Sequence, residues 1–273
     1  MSKNRAIRLF WWSEINLMSK LKENFGDLLG KYLVEKITGR NVVWVHPKKW
    51  HIKDYFQPIY VTAGSILANV NSKCIVWGSG IILKDQVVQP ATFLAVRGPQ
   101  TRKALLQQGY TTVPEIYGDP GLLLPLYYAP KIDKNYKWGI IPHYNDFKLV
   151  HSLYKNEKDC LIIDLMTNAI EPTIDLILQC ERIISSSLHG LIVAHAYGIP
   201  AVWVQFSDKL FGDGIKFQDY FESVDMEPSI PEIISRQLYD SELNQLFKTF
   251  PSLPKKEIIT ELQKGLMEVC PFK

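Results

Sequence analysis

Serines and a histidine lie where an apolar, strand-like segment gives way to a helix-like one. In "IISSSLHGLIVAHAYGIP", Ser186 and Ser187 come shortly before His189, and an apolar helical pattern follows. Ser187 is predicted to be the N-cap of that helix, which puts His189 in the first turn. The N–H groups at a helix start bind anions, and a histidine is suited to proton transfer. We therefore expect His189 to act as an acid or base beside an anion held at Ser186 and Ser187.

A second helix start lies in "ENFGDLLGKYLVEKI", just behind the first apolar run, and it carries Asn24 and Asp27. Either residue could begin the helix, because both types cap N-termini and the helix dipole favours an acidic first turn. A capping role alone would explain Asp27. Its position close behind a strand favours a role at a ligand.

Glycine–serine pairs follow two further apolar runs, "VTAGSIL" and "VWGSGII". A glycine there lets the backbone approach a ligand, although tight packing of strand against helix explains it equally well. The candidates are Gly64, Ser65, Gly78 and Ser79. Neither stretch matches a Walker loop or the dinucleotide-binding GxGxxG pattern, so phosphate binding is indicated only weakly.

Charged or titratable residues end three more segments. Arg97 closes the apolar run "TFLAVRG", where a charge is costly unless it is paired. A structural ion pair and an anion ligand are both open, since arginine suits bidentate capture of phosphate or carboxylate. His143 follows the run "WGIIPHY", and Asp119 lies in "YGDPG", a predicted turn that could face a ligand.

Apolar runs and helical patterns alternate along the chain. The runs are continuous rather than alternating, which is typical of strands buried on both faces of a parallel sheet. The predicted strands are 7–12, 42–45, 59–64, 74–80, 92–98, 138–144, 160–165, 182–187 and 201–206. The predicted helices between them are 27–38, 99–108, 146–154, 171–180 and 189–197, with a mainly helical pattern after residue 217.

A polar stretch with no periodicity, "YYAPKIDKNYK" (127–137), separates two strand–helix series and is interpreted as a linker. The sequence therefore predicts two domains, 1–130 and 131–273. Two doubly wound α/β halves facing across a cleft are the expected architecture, with ligands at the carboxyl ends of the strands.

Composition excludes several classes of protein. The net charge of +3, from 31 basic and 28 acidic residues, is too balanced for a nucleic-acid binder. It would permit weak contact with an anionic membrane. The four cysteines form no CxxC pair, so no zinc or redox motif is indicated. No apolar run reaches the length of a membrane span, and the N-terminal segment lacks a signal-peptide cleavage site, so we expect a cytoplasmic protein.

Taken together, these motifs resemble the polysaccharide pyruvyl transferases, and most closely the exopolysaccharide ketal-pyruvate transferases. The resemblance rests on segments in colinear order from about residue 7 to 222: "LFWWSE…ENFGDLL", "VWGSGI", "VRGPQTRKAL", "YGDPGLLLP", "IIPHYND", "SSSLHGLIVAHAYGIPAVWV" and "KFQDYF". It implies two Rossmann-like domains in a glycosyltransferase-B-like arrangement, with the acceptor on the first and the donor on the second. It also implies transfer of pyruvate from phosphoenolpyruvate to two hydroxyls of a hexose, with no metal or other cofactor.

The resemblance also implies roles for single residues. His189 matches the family's histidine and would be the general acid, and Asp27 would be the base or a sugar ligand. Arg97, His143, Lys216 and the helix start at Ser187 are the candidate contacts for the donor's anionic groups. Some family members carry arginine at the position of Ser187, so here the charge must come from elsewhere, with His143 and Lys216 as the candidates. The partners would be phosphoenolpyruvate and a lipid-linked oligosaccharide, which brings the protein to the inner face of a membrane.

Two other functions remain open from the sequence. A glycosyltransferase of similar architecture would hold a nucleotide sugar's diphosphate at the same serine-rich helix start. A non-catalytic glycan-binding protein would use aromatic surface, although several of the tryptophans lie in predicted strands and are more simply core.

Overall fold

The structure, a computed structural model, describes residues 5–49 and 52–273 and, at residues 54 and 55, the backbone alone. The first four residues of the predicted first domain lie outside the described residues. Within the described ranges the chain forms two parallel sheets of five strands, one from each half of the sequence.

In the first half, the described residues form five strands and four α-helices. The strands are β1 (Ile7–Phe10), β2 (Val42–Trp44), β3 (Ile59–Val61), β4 (Cys74–Trp77) and β5 (Thr92–Ala95). The helices are α1 (Glu14–Met18), α2 (Phe25–Thr38), α3 (Pro99–Gln107) and α4 (Leu124–Tyr127), with 3₁₀ turns at Ile52–Tyr55, Leu67–Asn69 and Pro120–Leu123.

The second half contains five strands and six α-helices. The strands are β6 (Tyr136–Ile141), β7 (Cys160–Ile162), β8 (Cys180–Ser185), β9 (Ala201–Gln205) and β10 (Glu232–Ile233). The helices are α5 (Phe147–Tyr154), α6 (Ile170–Leu178), α7 (Leu188–Ala196), α8 (Ile215–Ser223), α9 (Asp240–Thr249) and α10 (Lys256–Glu268). All nine strands and all five helices predicted from the pattern are therefore present. Most strands end earlier than their apolar runs, because the buried residues continue into the loops beyond them.

The two sheets share one topology. Their strand orders are β2-β1-β3-β4-β5 and β10-β9-β8-β6-β7, and each becomes 2-1-3-4-5 when the strands are numbered within their own half. In this doubly wound order the connections leave in opposite directions from the first and third strands, which opens a crevice at their carboxyl ends. The crevices therefore lie after β1 and β3 in the first sheet and after β6 and β8 in the second.

Each sheet is covered by apolar side chains on both faces, as the continuous apolar runs predict. In the first sheet α2 covers one face and α3 the other; in the second, α6 and α7 lie opposite α5 and α9. One buried cluster crosses between the halves, since Phe25 and Leu29 of α2 belong to the same core as Ile192 of α7 and Ile174 of α6. The stretch 128–135, inside the predicted linker, contains no helix or strand.

The last helix returns to the first half of the chain. Trp77 Nε1 donates to the backbone oxygen of Leu266 in α10 at 2.9 Å, and Gln263 Nε2 donates to that of Leu122 at 2.7 Å. Phe272 beyond the helix packs against the Trp77 ring with centroids 5.6 Å apart. None of the helices formed by the described residues is both long enough and apolar enough to span a bilayer.

A buried ion pair joins the halves at a second point. Arg97, after β5, lies 3.0 Å through Nε from Asp219 Oδ2 of α8, and both side chains are fully buried. The same carboxylate accepts from the Thr101 backbone N–H at 2.8 Å and from its hydroxyl at 2.6 Å. Such a pair need not add net stability, but removing one partner leaves an uncompensated buried charge.

We expect Asp219→Asn to lower the free energy of unfolding by about 3–5 kcal/mol, because it leaves the Arg97 guanidinium buried without its counter-charge. Chemical denaturation at neutral pH measures this. Asp225→Asn is the matched control: Asp225 is exposed, and asparagine tolerates its positive φ of 55°. A loss for Asp219→Asn no larger than that of the control would contradict the assignment.

Candidate active site

The two helix starts singled out from the sequence meet in the folded protein. Gly26 in the first turn of α2 lies directly against His189 in the first turn of α7, and a Cβ on Gly26 would overlap the imidazole ring at Nδ1. The backbone N–H of Phe25 also donates to the Leu165 oxygen, after β7, at 2.8 Å. The crevice of the first sheet and that of the second are thereby brought to one place.

Asn24 is the residue that caps α2. Its side-chain oxygen accepts from the Gly26 backbone N–H at 2.9 Å. Asp27, in the first turn, is therefore not the capping residue. Within the described part of the chain, no hydrogen bond to the Asp27 carboxyl is found. Its Oδ1 lies 3.4 Å from where a Cβ on Gly64 would stand, so the loop after β3 lies alongside the carboxyl.

Burial raises the pKa of Asp27 to about 7, and the negative charges of Glu14 and Glu23 add to the effect. The charges of His189 and Lys216 act in the opposite direction. A carboxyl that exchanges its proton near neutral pH is suited to act as a general base.

His189 lies between the two halves. Its side chain is 12% exposed, and its Nε2 lies 3.5 Å from Oδ2 of the fully buried Asp119. Ser187 caps α7 by its backbone conformation, and its hydroxyl makes no capping bond. Ser186 is buried, and its hydroxyl accepts from the backbone N–H of His143 at 2.8 Å.

Lys216 and His143 are titratable groups beside this contact. Burial and the nearby charge of Arg97 lower the pKa of Lys216 to about 8, with Asp27 acting against them. Burial, together with the positive charges of Lys216 and Lys20, lowers the pKa of His143 to about 4. His143 is therefore neutral at pH 7. An anion arriving beside the two groups would raise both pKa values and stabilise the charged forms.

Arg97 directs its donors into the protein. Besides Asp219, it donates through Nη1 to the Ser65 hydroxyl at 2.5 Å and through Nη2 to the Ile81 oxygen at 2.7 Å. The ion-pair interpretation thus describes its contacts in this structure. Its charge still reaches the site, since it lowers the pKa of Lys216.

The remaining glycine–serine candidates hold loops together. The Ser79 hydroxyl donates to the Gly64 oxygen at 2.8 Å. Gly78 has φ of 90°, and a Cβ there would lie 2.7 Å from the Gly118 oxygen, so this glycine admits the turn that carries Asp119. Gly64 and Gly78 both have positive φ, a conformation that residues with a side chain disfavour.

Several residues of the site were not identified from the sequence. Glu23 is buried and accepts from the Ser13 hydroxyl at 2.5 Å and from the Glu14 backbone N–H at 2.6 Å. Lys20 pairs with Glu14 at 2.7 Å. Their spacing matches no motif, and the only available signal was their place just after β1. Among the described residues, no group of three or more His, Cys, Asp or Glu side chains is arranged to hold a metal ion.

The raised pKa of Asp27 has a consequence for stability. An aspartate in the unfolded chain loses its proton near pH 4, whereas Asp27 in the folded protein loses it near pH 7. Between these values the unfolded state releases a proton that the folded state retains, so stability falls as the pH rises, by at most about 1.4 kcal/mol per pH unit. Above pH 7 both states are ionised and the penalty is complete.

We therefore expect Asp27→Asn, which cannot ionise, to melt at a higher temperature than the wild type at pH 8 and at nearly the same temperature at pH 4. Thermal unfolding across this range measures the difference. Asp133→Asn, at an exposed carboxyl, serves as the control and should leave the curve unchanged. A gap between Asp27→Asn and wild type that is the same at pH 4 and pH 8 would place the Asp27 pKa near its ordinary value.

Most residues of the site lie in the part of the chain that is similar to known proteins. The family model for polysaccharide pyruvyl transferases matches residues 9–208, which is more than half of the chain and runs from β1 past β9. The uncharacterized protein L143 of Acanthamoeba polyphaga mimivirus is 34% identical over 217 residues, which is 75% of this chain and 72% of that protein. Residues 9–208, which the family model matches, include Asp27, Asp119 and His189, while Lys216 lies beyond them. The chain belongs to the polysaccharide pyruvyl transferase family.

Proposed function

We propose that the protein transfers pyruvate from phosphoenolpyruvate to two hydroxyls of a hexose in an exopolysaccharide or capsule repeat unit, forming a cyclic ketal. The observation that carries the proposal is the contact between the helix turns that hold Asp27 and His189, from opposite halves, with the charges of His189 and Lys216 both acting on Asp27. The reaction needs an acid, a base and a cation in one site. The chain's family supports a pyruvyl transfer role.

We propose further that the halves are two Rossmann-like domains facing across a cleft, in a glycosyltransferase-B-like arrangement. The shared strand order supports this, as does the meeting of both crevices at Gly26 and His189. The acceptor sugar would enter from the first half, beside Asn24 and Asp27. The donor would lie on the second half, beside Ser186 and Ser187.

His189 starts the reaction by giving a proton to the methylene carbon of phosphoenolpyruvate. That carbon becomes the methyl group, and the neighbouring carbon becomes oxocarbenium-like. One sugar hydroxyl adds to it and releases its proton. The bond between carbon and the phosphate oxygen then breaks, with the electron pair leaving on phosphate, and the second hydroxyl closes the ring. The two hydroxyl protons balance those on the new methyl group and on the released phosphate.

Asp27 is the proposed base for a sugar hydroxyl. With a pKa of about 7 it is partly ionised at neutral pH, and it returns the proton without a large change in free energy. Asn24 holds the helix turn that presents it. Gly64 leaves the carboxyl accessible to a sugar, and Ser65, Gly78 and Ser79 hold the loops around it.

Lys216 is the proposed cation for the donor. Among the described residues, no carboxylate forms an ion pair with it, and burial is the main cause of its lowered pKa, with the charge of Arg97 adding to the effect. An anion of the donor would compensate the charge of Lys216. His143, the helix start at Ser187 and the charge of Arg97 add to the attraction, and together they take the place of the arginine that some relatives carry at position 187. The reaction so proposed uses phosphoenolpyruvate as a substrate and needs no resident cofactor or metal.

An exposed apolar ridge next to the site supports a lipid-linked acceptor. We define it as Trp12, Ile15, Met18 and Leu21, which follow one another at every third position and are 37–92% exposed. Ile15 and Met18 share one face of α1, whereas Trp12 precedes this helix and Leu21 follows it. Glu14 and Glu23 in the same segment are buried, whereas Lys22 is exposed. The outward face is thus apolar and basic, which fits an anionic bilayer surface. We propose that it brings the protein to the inner, cytoplasmic face of a membrane.

We expect the protein to add one pyruvate with loss of water to an acceptor glycoside, and to release phosphate, when phosphoenolpyruvate is supplied. Mass spectrometry over a panel of hexosides detects the product. His189→Gln should abolish product formation, because the methylene carbon receives no proton. His151→Gln, at an exposed histidine of α5, is the control and should retain full activity.

The same assay decides against the alternatives. A thermal shift and transfer with a nucleotide sugar, but none with phosphoenolpyruvate, would identify a glycosyltransferase instead. Binding of glycan with no product from either donor would indicate a glycan-binding protein. Full activity of His189→Gln would remove His189 from the acid role.

The ridge makes a separate prediction. We expect the protein to co-sediment with vesicles of phosphatidylglycerol and phosphatidylethanolamine, and the double variant Met18→Gln, Leu21→Gln to bind several-fold more weakly. The control is Leu126→Gln, Leu253→Gln, at exposed leucines outside the ridge. Equal binding of the two double variants would show that the ridge is not the membrane contact.

A further inference from the structure

Asp119 is a buried carboxylate of which one oxygen has no hydrogen-bond partner. It is fully buried in the turn before the 3₁₀ segment Pro120–Leu123, and its Oδ1 caps that segment by accepting from the Gly121 N–H at 2.8 Å. Its Oδ2 accepts no hydrogen bond from the described residues. His189 Nε2 is also buried and makes no hydrogen bond with the described residues. It lies 3.5 Å from Asp119 Oδ2.

A charged oxygen in a dry site is costly unless a donor or cation faces it. The negative charge of Asp119 adds to the burial that raises the pKa of Tyr220, but the Tyr220 hydroxyl is hydrogen-bonded to His195 Nδ1 at 2.9 Å. Elsewhere the turn meets the apolar side chains of Leu29 and Ile192 at Gly121. His189 is therefore the group that can satisfy Asp119 Oδ2. The 3.5 Å separation is long for a hydrogen bond, as is common in catalytic pairs without substrate.

Two glycines leave the space that the pairing of His189 with Asp119 needs. Gly26 leaves room for the ring at Nδ1, and Gly78 leaves room for the turn that carries Asp119. With Nε2 turned to the buried carboxylate, Nδ1 is the nitrogen that lies at the junction of the two halves. The charges that face the ring are those of Asp119, 3.5 Å from Nε2, and of Asp27, which interacts electrostatically with His189 and with Lys216.

We propose that Asp119 is the positioning residue for His189. It holds the ring with the Nε2–H directed at Oδ2 and stabilises the doubly protonated form, so that Nδ1 gives the proton to the methylene carbon of phosphoenolpyruvate. The neutral ring that remains keeps its Nε2–H on Asp119 until Nδ1 is protonated again. The identity of the proton acceptor rests on the proposed function. The pairing of Asp119 with His189 does not depend on that function.

Asp119→Asn tests the pairing, because it keeps the Oδ1 cap and the shape but removes the charge. In ¹⁵N spectra of the histidine rings, we expect the wild-type His189 to carry its proton on Nε2 once the ring is neutral. In Asp119→Asn an amide N–H stands in place of Oδ2 and can donate to Nε2, so the neutral ring should carry its proton on Nδ1 instead. Asp133→Asn should leave the proton on Nε2. A neutral wild-type ring protonated on Nδ1, or a ring that keeps its proton on Nε2 in Asp119→Asn, would overturn the proposal.

Activity supplies a second readout. With phosphoenolpyruvate and acceptor, kcat of Asp119→Asn should fall at least about tenfold, while KM for phosphoenolpyruvate changes little, because the acid and not the binding site is affected. Loss of binding with unchanged kcat would also overturn the role. Should Asp119→Asn not fold, Asp119→Ser keeps a capping oxygen and removes Oδ2. If the protein transfers no pyruvate at all, the ring spectra still decide whether Asp119 controls His189.

Discussion

The close approach of α2 and α7 at Gly26 is the constraint on which the rest of the site depends. Each helix start follows the crevice of its own sheet, and the two can share a site only if their first turns touch. A side chain at Gly26 would occupy the space of the His189 ring. The shared apolar core around Phe25 and Leu29 packs the two helices together, and the backbone bond from Phe25 to Leu165 joins the start of α2 to the loop after β7.

The charges around this contact divide into two kinds. Arg97 and Asp219 neutralise each other inside the protein and join α3 to α8, so their charges serve the fold. Asp27, Asp119, His189 and Lys216 are incompletely compensated. Burial displaces the protonation equilibria of Asp27 and Lys216, whose pKa values are about 7 and about 8. A substrate bearing anionic groups would supply what is missing, which is why the stability cost of these groups is consistent with a function.

Much of the fold could be predicted from the sequence because its signals are local. Continuous apolar runs marked nine of the ten strands, and the tenth, Glu232–Ile233, was missed because its two exposed residues carry no pattern. The helix α1 was missed because its five residues are too few to show a helical period. The candidate residues after β1 and after β8 could each be placed at the carboxyl edge of its own sheet, because the carboxyl ends of parallel strands lie at one edge. The helix α10 could not be assigned to the first half, since nothing in its amphipathic pattern names the surface it covers.

The sequence by itself determined most of the strands and helices, the cap position of α7 and the family, because each depends on residues near one another in the chain or on motifs in order. For the cap of α2 it left Asn24 and Asp27 open, and the structure decided for Asn24. The tertiary structure alone decided which groups meet. Asp219 lies 122 positions from Arg97 and becomes its counter-ion, and Asp119 comes to face His189 from the other half. Protonation was decided there too. The pKa of a carboxyl depends on the charges within a few ångströms and on how much water reaches it, and neither quantity can be read from its neighbours in sequence.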